Sequence, residues 1–164
     1  MNVANPTELK GGCACGAIRY RLLDSPMIVQ ACHCRDCQRL TGSAFVVNMW
    51  IEADKLQLQG KEPACVHLQG GSGKPHDVFF CPDCGTTLFS RYHAAPGRNY
   101  FVRAGTLDDP GAVQPAAHIH TRTKMPWLQL DGSIPVFEDF YDLRSFWPAD
   151  SLQRFLANAA PPQS

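Results

Sequence analysis

The sequence predicts an all-β fold, built mainly of short strands with a few short helices. Three observations predict it: short segments in which apolar and polar residues alternate, turn residues between those segments, and clusters of cysteines able to hold the sheets together through metal. The 13 glycines and 13 prolines are spread along the 164 residues, as expected where many strands are joined by turns. A chain of this size is expected to form one domain over 1–164, with its core at about 9–142.

The strand pattern is clearest near the start of the chain. In the segment Ala17–Leu22, apolar residues alternate with Arg19 and Arg21, which is the period of two typical of a half-buried strand. Eight further strands are predicted on the same grounds, over Met27–Ala31, Ala44–Ile51, Leu56–Leu58, Ala64–Leu68, Val78–Phe80, Thr86–Tyr92, Tyr100–Gly105 and His118–Thr121.

Only two helical segments are predicted. Asp36–Leu40 is expected to form a short helical turn, and Ala149–Ala157 carries apolar residues at helical spacing. The C-terminal part, 149–164, is therefore interpreted as a short helix followed by a tail, with residues 159–164 frayed.

Composition excludes several kinds of partner. The 15 basic and 15 acidic residues give a formal net charge of zero, so the positive charge expected of a nucleic-acid binder is missing. Met1 to Lys10 is polar and resembles no secretory signal. No segment approaches the roughly 18 to 20 apolar residues needed to span a bilayer. We therefore expect a cytoplasmic protein without a nucleic-acid or membrane partner, in which clustered cysteines bind metal rather than form disulfides.

Seven of the eight cysteines lie in three clusters, and their numbers predict two kinds of zinc site. The clusters are Cys13 and Cys15; Cys32, Cys34 and Cys37; and Cys81 and Cys84. The first and third clusters together supply the four ligands of a closed, structural zinc site, whereas the middle cluster supplies three. Catalytic zinc sites keep one position free for water or substrate. Disulfides are less favoured because Cys-x-Cys neighbours are poorly placed to bridge each other.

The local sequence supports the four-cysteine site. If Cys13 and Cys15 lie on an extended strand, both face the same way and reach one ion. Cys81-x-x-Cys84 is followed by Gly85, and a glycine there allows the positive φ that points both sulfurs inward. A redox pair is the less favoured alternative, because that motif normally opens a helix and here a strand-like sequence follows.

The middle cluster leaves two possibilities open. Three sulfurs within six residues can bind zinc unaided, and either the fourth position stays free or a distant residue closes it. Candidates for a closing ligand are Cys65, His33, His67, His76, His93, His118 and His120. We favour the open site. His33 is expected to point away from the metal, and Cys65 to be a small buried side chain.

Motifs at the cysteines and after them run in order from residue 11 to about residue 140: Gly11-Gly12-Cys13-x-Cys15-Gly16, Cys32-His33-Cys34-x-x-Cys37-Gln38-x-x-Thr41-Gly42, Phe80-Cys81-x-x-Cys84-Gly85, Gly105-Thr106-Leu107-Asp108-Asp109-Pro110, His118-Ile119, Thr123-Lys124-x-Pro126-Trp127 and Pro135-x-Phe137. With these motifs the sequence resembles the glutathione-dependent formaldehyde-activating enzymes and their centromere-protein-V-like relatives.

The resemblance implies an Mss4-like fold of small antiparallel sheets stabilised by two zinc ions per chain. It implies that one set of cysteines holds the structural ion and the other the catalytic ion, namely Cys13, Cys15, Cys81 and Cys84 for the first and Cys32, Cys34 and Cys37 for the second. The implied activity is that of a carbon–sulfur lyase, forming or cleaving a thiol–aldehyde adduct such as S-hydroxymethylglutathione. Its partners are a glutathione-like thiol, bound as thiolate at the open zinc, and an aldehyde. The alternative is a non-catalytic zinc-stabilised module that binds a thiol or a protein.

Two points remain open within the resemblance. Relatives often carry an aromatic residue at the position of His120, so this histidine either lines the pocket or is exposed. Six basic residues could pair with the carboxylates of glutathione, although residues of this type are more commonly solvated surface charges: Arg35, Arg39, Arg91, Arg103, Arg122 and Lys124.

Overall fold

The computed structural model describes residues 8–159, which form ten strands and three helices. The strands are β1 (Lys10–Gly12), β2 (Ile18–Leu22), β3 (Ile28–Cys32), β4 (Val46–Glu52), β5 (Leu56–Gly60), β6 (Ala64–Gln69), β7 (Pro75–Phe80), β8 (Thr87–Tyr92), β9 (Asn99–Arg103) and β10 (His118–Ile119). The helices are α1 (Arg35–Thr41), α2 (Leu143–Phe146) and α3 (Ala149–Ala159).

The strands form two sheets. The smaller sheet has the order β1-β2-β5 and is antiparallel throughout. The larger sheet has the order β10-β3-β4-β9-β8-β7-β6. All its neighbouring strands are antiparallel except β10, which runs parallel to β3. The all-β class predicted from the sequence is confirmed.

Strand β4 separates two hydrophobic cores. Met49 and Ile51, on one face of β4, pack with the inner face of the smaller sheet and with Phe89 and Val102. Trp50 points to the opposite face and packs with Trp147 and Phe155 and other residues of the C-terminal segment. Because successive side chains of a strand face opposite ways, β4 is buried on both sides.

Helix α3 is fixed to the sheet by a polar contact as well as by Phe155. The guanidinium of Arg154 donates to both carboxylate oxygens of Glu52, over 2.9 and 2.6 Å, and to the carbonyl oxygen of Ser25 over 2.9 Å. A bidentate pair of this kind is stronger than a single charged contact.

The nine predicted strands are all present, with ends that move by up to three residues. The expected strand His118–Thr121 stops at Ile119, because His120 adopts a left-handed conformation with φ 54° and a 3₁₀ turn follows over Thr121–Thr123. The predicted helices Asp36–Leu40 and Ala149–Ala157 correspond to α1 and α3. Strand β1 and helix α2 were not expected. The predicted fraying of 159–164 falls almost wholly outside the described residues, as does most of the Met1–Lys10 segment.

Between residues 8 and 159 no helix is both long and apolar enough to cross a membrane.

Candidate metal centres and adjoining cavities

The first and third cysteine clusters meet in space, as the sequence predicts. The sulfurs of Cys13, Cys15, Cys81 and Cys84 all lie within 4.8 Å of one another. Sγ of Cys15 lies 3.5 Å from that of Cys13 and 3.7 Å from that of Cys81. With Zn–S bonds of about 2.3 Å, sulfurs at the corners of a tetrahedron lie about 3.8 Å apart. The four thiols therefore fit a zinc ion.

Two loops build this cluster, and one differs from its expected conformation. The expectation that Cys13 and Cys15 lie on an extended strand is wrong: they occupy the turn between β1 and β2, where the Gly16 N–H donates to the carbonyl oxygen of Cys13 over 3.0 Å. Side chains brought together by a turn reach the same ion without strand alternation. In the other loop Gly85 has the predicted positive φ, 75°, and its N–H donates to Cys81.

Thr86 connects the two loops and supports a thiolate. Its Oγ1 accepts from the N–H of Ala14 over 3.1 Å and lies 3.2 Å from Sγ of Cys84. Hydrogen bonds from the side chain and the N–H of Thr86 lower the pKa of Cys84 to about 6. A thiol ionised at neutral pH is ready to bind a metal ion, since the thiolate is the ligand.

The three middle cysteines converge on a second site. Cys32 ends β3, Cys34 caps the start of α1, and Cys37 lies within that helix, so that their sulfurs lie within 4.8 Å of one another. Cys32 and Cys37 are buried, while Cys34 is half-buried. Hydrogen bonds from the thiols of Cys32 and then Cys37 lower the pKa of Cys34, and the hydrogen bonds with Cys34 and Cys37 raise the pKa of Cys32. The three thiols therefore share protons, and contact among them favours a thiolate, which is the form that binds metal.

No other cysteine, histidine, aspartate or glutamate between residues 8 and 159 brings a ligand atom into this group. His33 is buried and its Nε2 lies 2.9 Å from Nδ1 of His118. Burial and the neighbouring His118 lower the pKa of His33 to about 4, so its ring is neutral at pH 7. These two histidines form a pair away from the sulfurs.

Cys65 corrects an expectation. It was predicted to be buried, but it is exposed. It lies on β6, the strand at the edge of the larger sheet, and the side chains on both faces of this strand are mostly exposed. Its sulfur lies near His67 and Asp77. The carboxylate of Asp77 accepts hydrogen bonds of 2.7 Å from Nδ1 of His67 and from Nε2 of His93. Neither Cys65 nor these histidines approaches the three-cysteine site.

A buried cation lies behind the three sulfurs. Arg103 is 4% exposed and donates to Oδ1 of Asn48 and, over 3.1 Å, to Oγ of Ser90. Asn48 in turn lies with its Nδ2 3.9 Å from Sγ of Cys37. Burial lowers the pKa of Arg103, and the sulfurs of Cys37 and its neighbours oppose that shift. A zinc ion with three thiolates has a net charge of −1, which this guanidinium balances, so the residues present fit the metal.

The interpretation of Arg103 as a surface charge is therefore wrong, and sequence reasoning also missed Asn48. Both depend on the pairing of β4 with β9, which places Asn48 directly opposite Arg103. No local pattern in either strand indicates that pairing.

Two cavities of different character adjoin the three-cysteine site. The larger, of about 530 Å³, has mostly apolar walls that include Trp50, Tyr92, Phe101, Phe155 and Leu143. The smaller is a cleft of about 230 Å³ whose lining residues are mainly charged or polar and include Arg35, Arg122, Glu138 and Asp139. Both cavities reach Cys34, Asp36, Gly71 and His120. The sequence left open whether His120 lines the pocket or is simply exposed, and the structure shows that it lines the pocket.

The fold and the two convergent thiol clusters define a class: an all-β protein with cysteines arranged as ligands for metal. Within that class the chain matches the family model of the glutathione-dependent formaldehyde-activating enzyme over residues 8–123. This match covers well over half of the chain, and the chain belongs to that family.

The proteins similar to the chain include two curated relatives and one solved structure. A protein of Halomonas elongata named "Putative glutathione-dependent formaldehyde-activating enzyme" is 29% identical over 127 residues, which are 75% of this chain and 81% of that protein. A protein of Schizosaccharomyces pombe named as an uncharacterized lyase is 29% identical over 98 residues, 59% of this chain and 66% of its own. The crystal structure of a Rhodobacter sphaeroides protein has a TM-score of 0.49 and 22% identity, over 77% of this chain and 98% of its own.

Proposed function

We propose that the protein is a zinc-dependent carbon–sulfur lyase that forms or cleaves the adduct of a glutathione-like thiol with an aldehyde. The observation that carries the proposal is the position of Cys32, Cys34 and Cys37: the three thiols converge beside the larger cavity, and Cys34 lines the smaller cleft as well. Membership of the formaldehyde-activating family supports this type of chemistry, and so does the lyase named among the relatives.

Two zinc ions per chain are part of the proposal. The four sulfurs of Cys13, Cys15, Cys81 and Cys84 would hold a structural ion that joins the β1–β2 turn to the loop after β7. The three sulfurs of the middle cluster would hold the second ion and leave a position for substrate. When bound, that zinc supplies Lewis acidity, which favours the thiolate form of a thiol in the free position.

Thiol ionisation alone makes a modest catalyst. A thiol of pKa about 8.5 is already a few per cent thiolate at pH 7, so complete ionisation raises the thiolate concentration only about thirtyfold. Lower basicity also reduces nucleophilicity, with a Brønsted coefficient of about 0.4–0.5. Most of the acceleration therefore has to come from holding the thiol and the aldehyde together, for which effective molarities of about 10⁵ M and above are known.

The cavities provide that proximity. In the forward direction the thiol sulfur forms a bond to the aldehyde carbon, and the carbonyl oxygen takes up the proton that the thiol releases. The product is a hemithioacetal, and the reverse reaction breaks the same bond. His120 lines both cavities and is half-buried, and its position beside Cys34 supports a role for its imidazole in moving that proton from sulfur to oxygen.

Cobalt substitution tests the proposal. Co²⁺ in a thiolate site has visible absorption bands that respond to a change of ligand. Addition of glutathione to the cobalt-loaded protein is expected to change these bands, and the change is expected to be lost in Cys34→Ser. Bands that ignore glutathione while two ions stay bound would contradict the proposal and favour a non-catalytic zinc-stabilised module.

A further inference from the structure

The larger cavity is far larger than formaldehyde requires. Formaldehyde has two non-hydrogen atoms, and it fills about the space of two water molecules, on the order of 60 Å³. The cavity beside the three sulfurs measures about 530 Å³, within the range of about 300–1,000 Å³ usual for pockets that bind drug-sized ligands.

Aromatic side chains give this cavity a definite shape. The ring of Trp50 lies 4.7 Å from that of Phe101 and 5.5 Å from that of Phe155, measured between ring centroids. The Trp50 and Phe155 rings meet edge to face at 81°. Trp50 and Phe155 are buried in the same core, so the wall is fixed by packing against the rest of the protein rather than by a mobile loop.

Two N–H groups in the cavity wall have no partner among residues 8–159. They are Nε1 of Trp50 and Nε of Arg103, both on side chains that are 4% exposed. Buried donors are nearly always satisfied in folded proteins, because leaving one unpaired costs about 1–3 kcal/mol. Both residues line the larger cavity. The two nitrogens themselves are buried beneath the cavity surface, so the parts of these side chains that a ligand would contact are their other, mainly apolar, atoms.

The cleft on the other side of Cys34 has a larger share of charged residues in its lining than the larger cavity. Arg122 donates to both carboxylate oxygens of Asp139, over 3.1 and 2.6 Å, and Arg35 lies on the same cleft. Charged walls of this kind suit a zwitterionic peptide such as glutathione, whose charged ends would be desolvated at high cost in the aromatic cavity.

We propose that the larger cavity binds the carbon skeleton of an aldehyde with an aromatic or branched apolar group, while the thiol enters through the charged cleft. The two reactants then meet at Cys34, where the cavities join. This assignment rests on the proposed function and specifies its substrate. As before, the thiol sulfur bonds to the aldehyde carbon and the thiol proton passes to the carbonyl oxygen.

The test compares two stable analogues of the adduct, S-benzylglutathione and S-methylglutathione. Both keep the peptide, and only the first carries an aromatic group on sulfur. By calorimetric titration of the zinc-loaded protein, we expect S-benzylglutathione to bind at least tenfold more tightly. The reason is that the ring leaves water for an apolar cavity, where each Å² buried contributes about 25 cal/mol.

A bulky side chain introduced at the edge of the larger cavity tests whether the aromatic ring of S-benzylglutathione binds there. Ala94 is exposed and lines the larger cavity, so Ala94→Trp narrows the cavity without disturbing the core and is expected to abolish the tenfold preference. Ala112 is also exposed but lies in the 3₁₀ turn Pro110–Ala112 and lines neither cavity. Its matched variant, Ala112→Trp, is expected to keep the preference.

The outcomes separate this inference from the proposed function. Equal affinity for the two analogues, or a preference that survives Ala94→Trp, overturns the aromatic subsite. If neither analogue binds but glutathione changes the cobalt spectrum, the subsite is wrong and the proposed function stands. If S-benzylglutathione binds tenfold more tightly while glutathione leaves the cobalt spectrum unchanged, the subsite is real and the lyase proposal is wrong.

Discussion

Asn48 connects the buried cation to the cysteine site: its Nδ2 lies 3.9 Å from Sγ of Cys37, and its Oδ1 accepts a hydrogen bond from Arg103. The guanidinium thereby places a positive charge behind the sulfurs, and the amide keeps the two groups in fixed relative positions. Groups that contact metal ligands in this way adjust the affinity of the site without touching the ion.

Arg103→Gln should therefore weaken metal binding at one site only. Loss of the buried charge is expected to lower zinc affinity at the three-cysteine site by about ten- to a hundredfold, the usual effect of removing a group that supports a metal ligand. Affinity at the four-cysteine site should not change. Competition with a chromophoric chelator measures both.

Arg39→Gln serves as the control for Arg103→Gln, because Arg39 lies on α1 near the cysteines but is exposed. It is expected to leave both affinities unchanged. Equal weakening of the two sites by Arg103→Gln would show a general loss of stability and contradict the role given to the guanidinium.

Gly11, in β1, packs closely against Thr106 and against Tyr20 of β2. A Cβ at this position would overlap the carbonyl oxygen of Thr106 and the hydroxyl of Tyr20. Tyr20 and Thr106 are held in place by each other, because the Tyr20 hydroxyl lies 2.8 Å from Oγ1 of Thr106. Gly11→Ala is expected to lower the free energy of unfolding by about 1–3 kcal/mol, as for other overpacked cores.

Gly105→Ala is the matched substitution, since a Cβ there meets nothing within 4 Å and the glycine has no positive φ. Denaturant titration of the zinc-loaded proteins is expected to show a change within about 0.5 kcal/mol for this variant. A loss as large as that of Gly11→Ala would mean that the packing against Thr106 is not the cause.

Asp77 should make stability depend on pH at the acid end. Hydrogen bonds from His67 and then His93 lower the pKa of the Asp77 carboxyl in the folded protein. The unfolded chain therefore takes up this proton at a higher pH than the folded protein does. The stabilisation is complete above the unfolded pKa, about 3.9, and is lost as the pH falls through the lower folded pKa.

The measurement is the difference in unfolding free energy between the wild type and Asp77→Asn as a function of pH. This difference is expected to be largest above pH 4 and to shrink as the pH falls below it; zinc loss affects both proteins alike and cancels. Asp54→Asn, at an exposed site, is expected to show a difference near zero throughout. A difference for Asp77→Asn that grows on acidification would contradict the assignment.

Local patterns predicted much of this fold. The alternation in β2 predicted one buried face, and Ile18, Tyr20 and Leu22 are all buried. Cysteine spacing predicted both thiol clusters, and it succeeded for Cys13 and Cys15 even though a turn rather than a strand brings them together.

Contacts between distant strands could not be predicted. Arg103 is buried because β9 pairs with β4, and Cys65 is exposed because β6 lies at the edge of the sheet. The sequence of a strand does not reveal which strands it pairs with. Whether a single arginine or cysteine is buried therefore depends on the assembled sheet. The aromatic cavity likewise depends on Trp50 of β4 meeting Phe155 of α3.

The central claim is that the four-cysteine cluster holds a structural zinc ion and the three-cysteine cluster a catalytic one. Counting zinc ions in two variants tests this claim most directly. Cys34→Ser and Cys84→Ser each remove one sulfur from one cluster. The zinc content of each purified variant is measured together with its circular dichroism and thermal unfolding.

Cys34→Ser is expected to retain one zinc ion and the folded spectrum, because the four-cysteine site remains intact. Cys84→Ser is expected to unfold, because the ion that joins the β1–β2 turn to the loop after β7 contributes directly to folding. Unfolding of both variants, or a folded Cys84→Ser protein that has lost one zinc ion, would contradict the account.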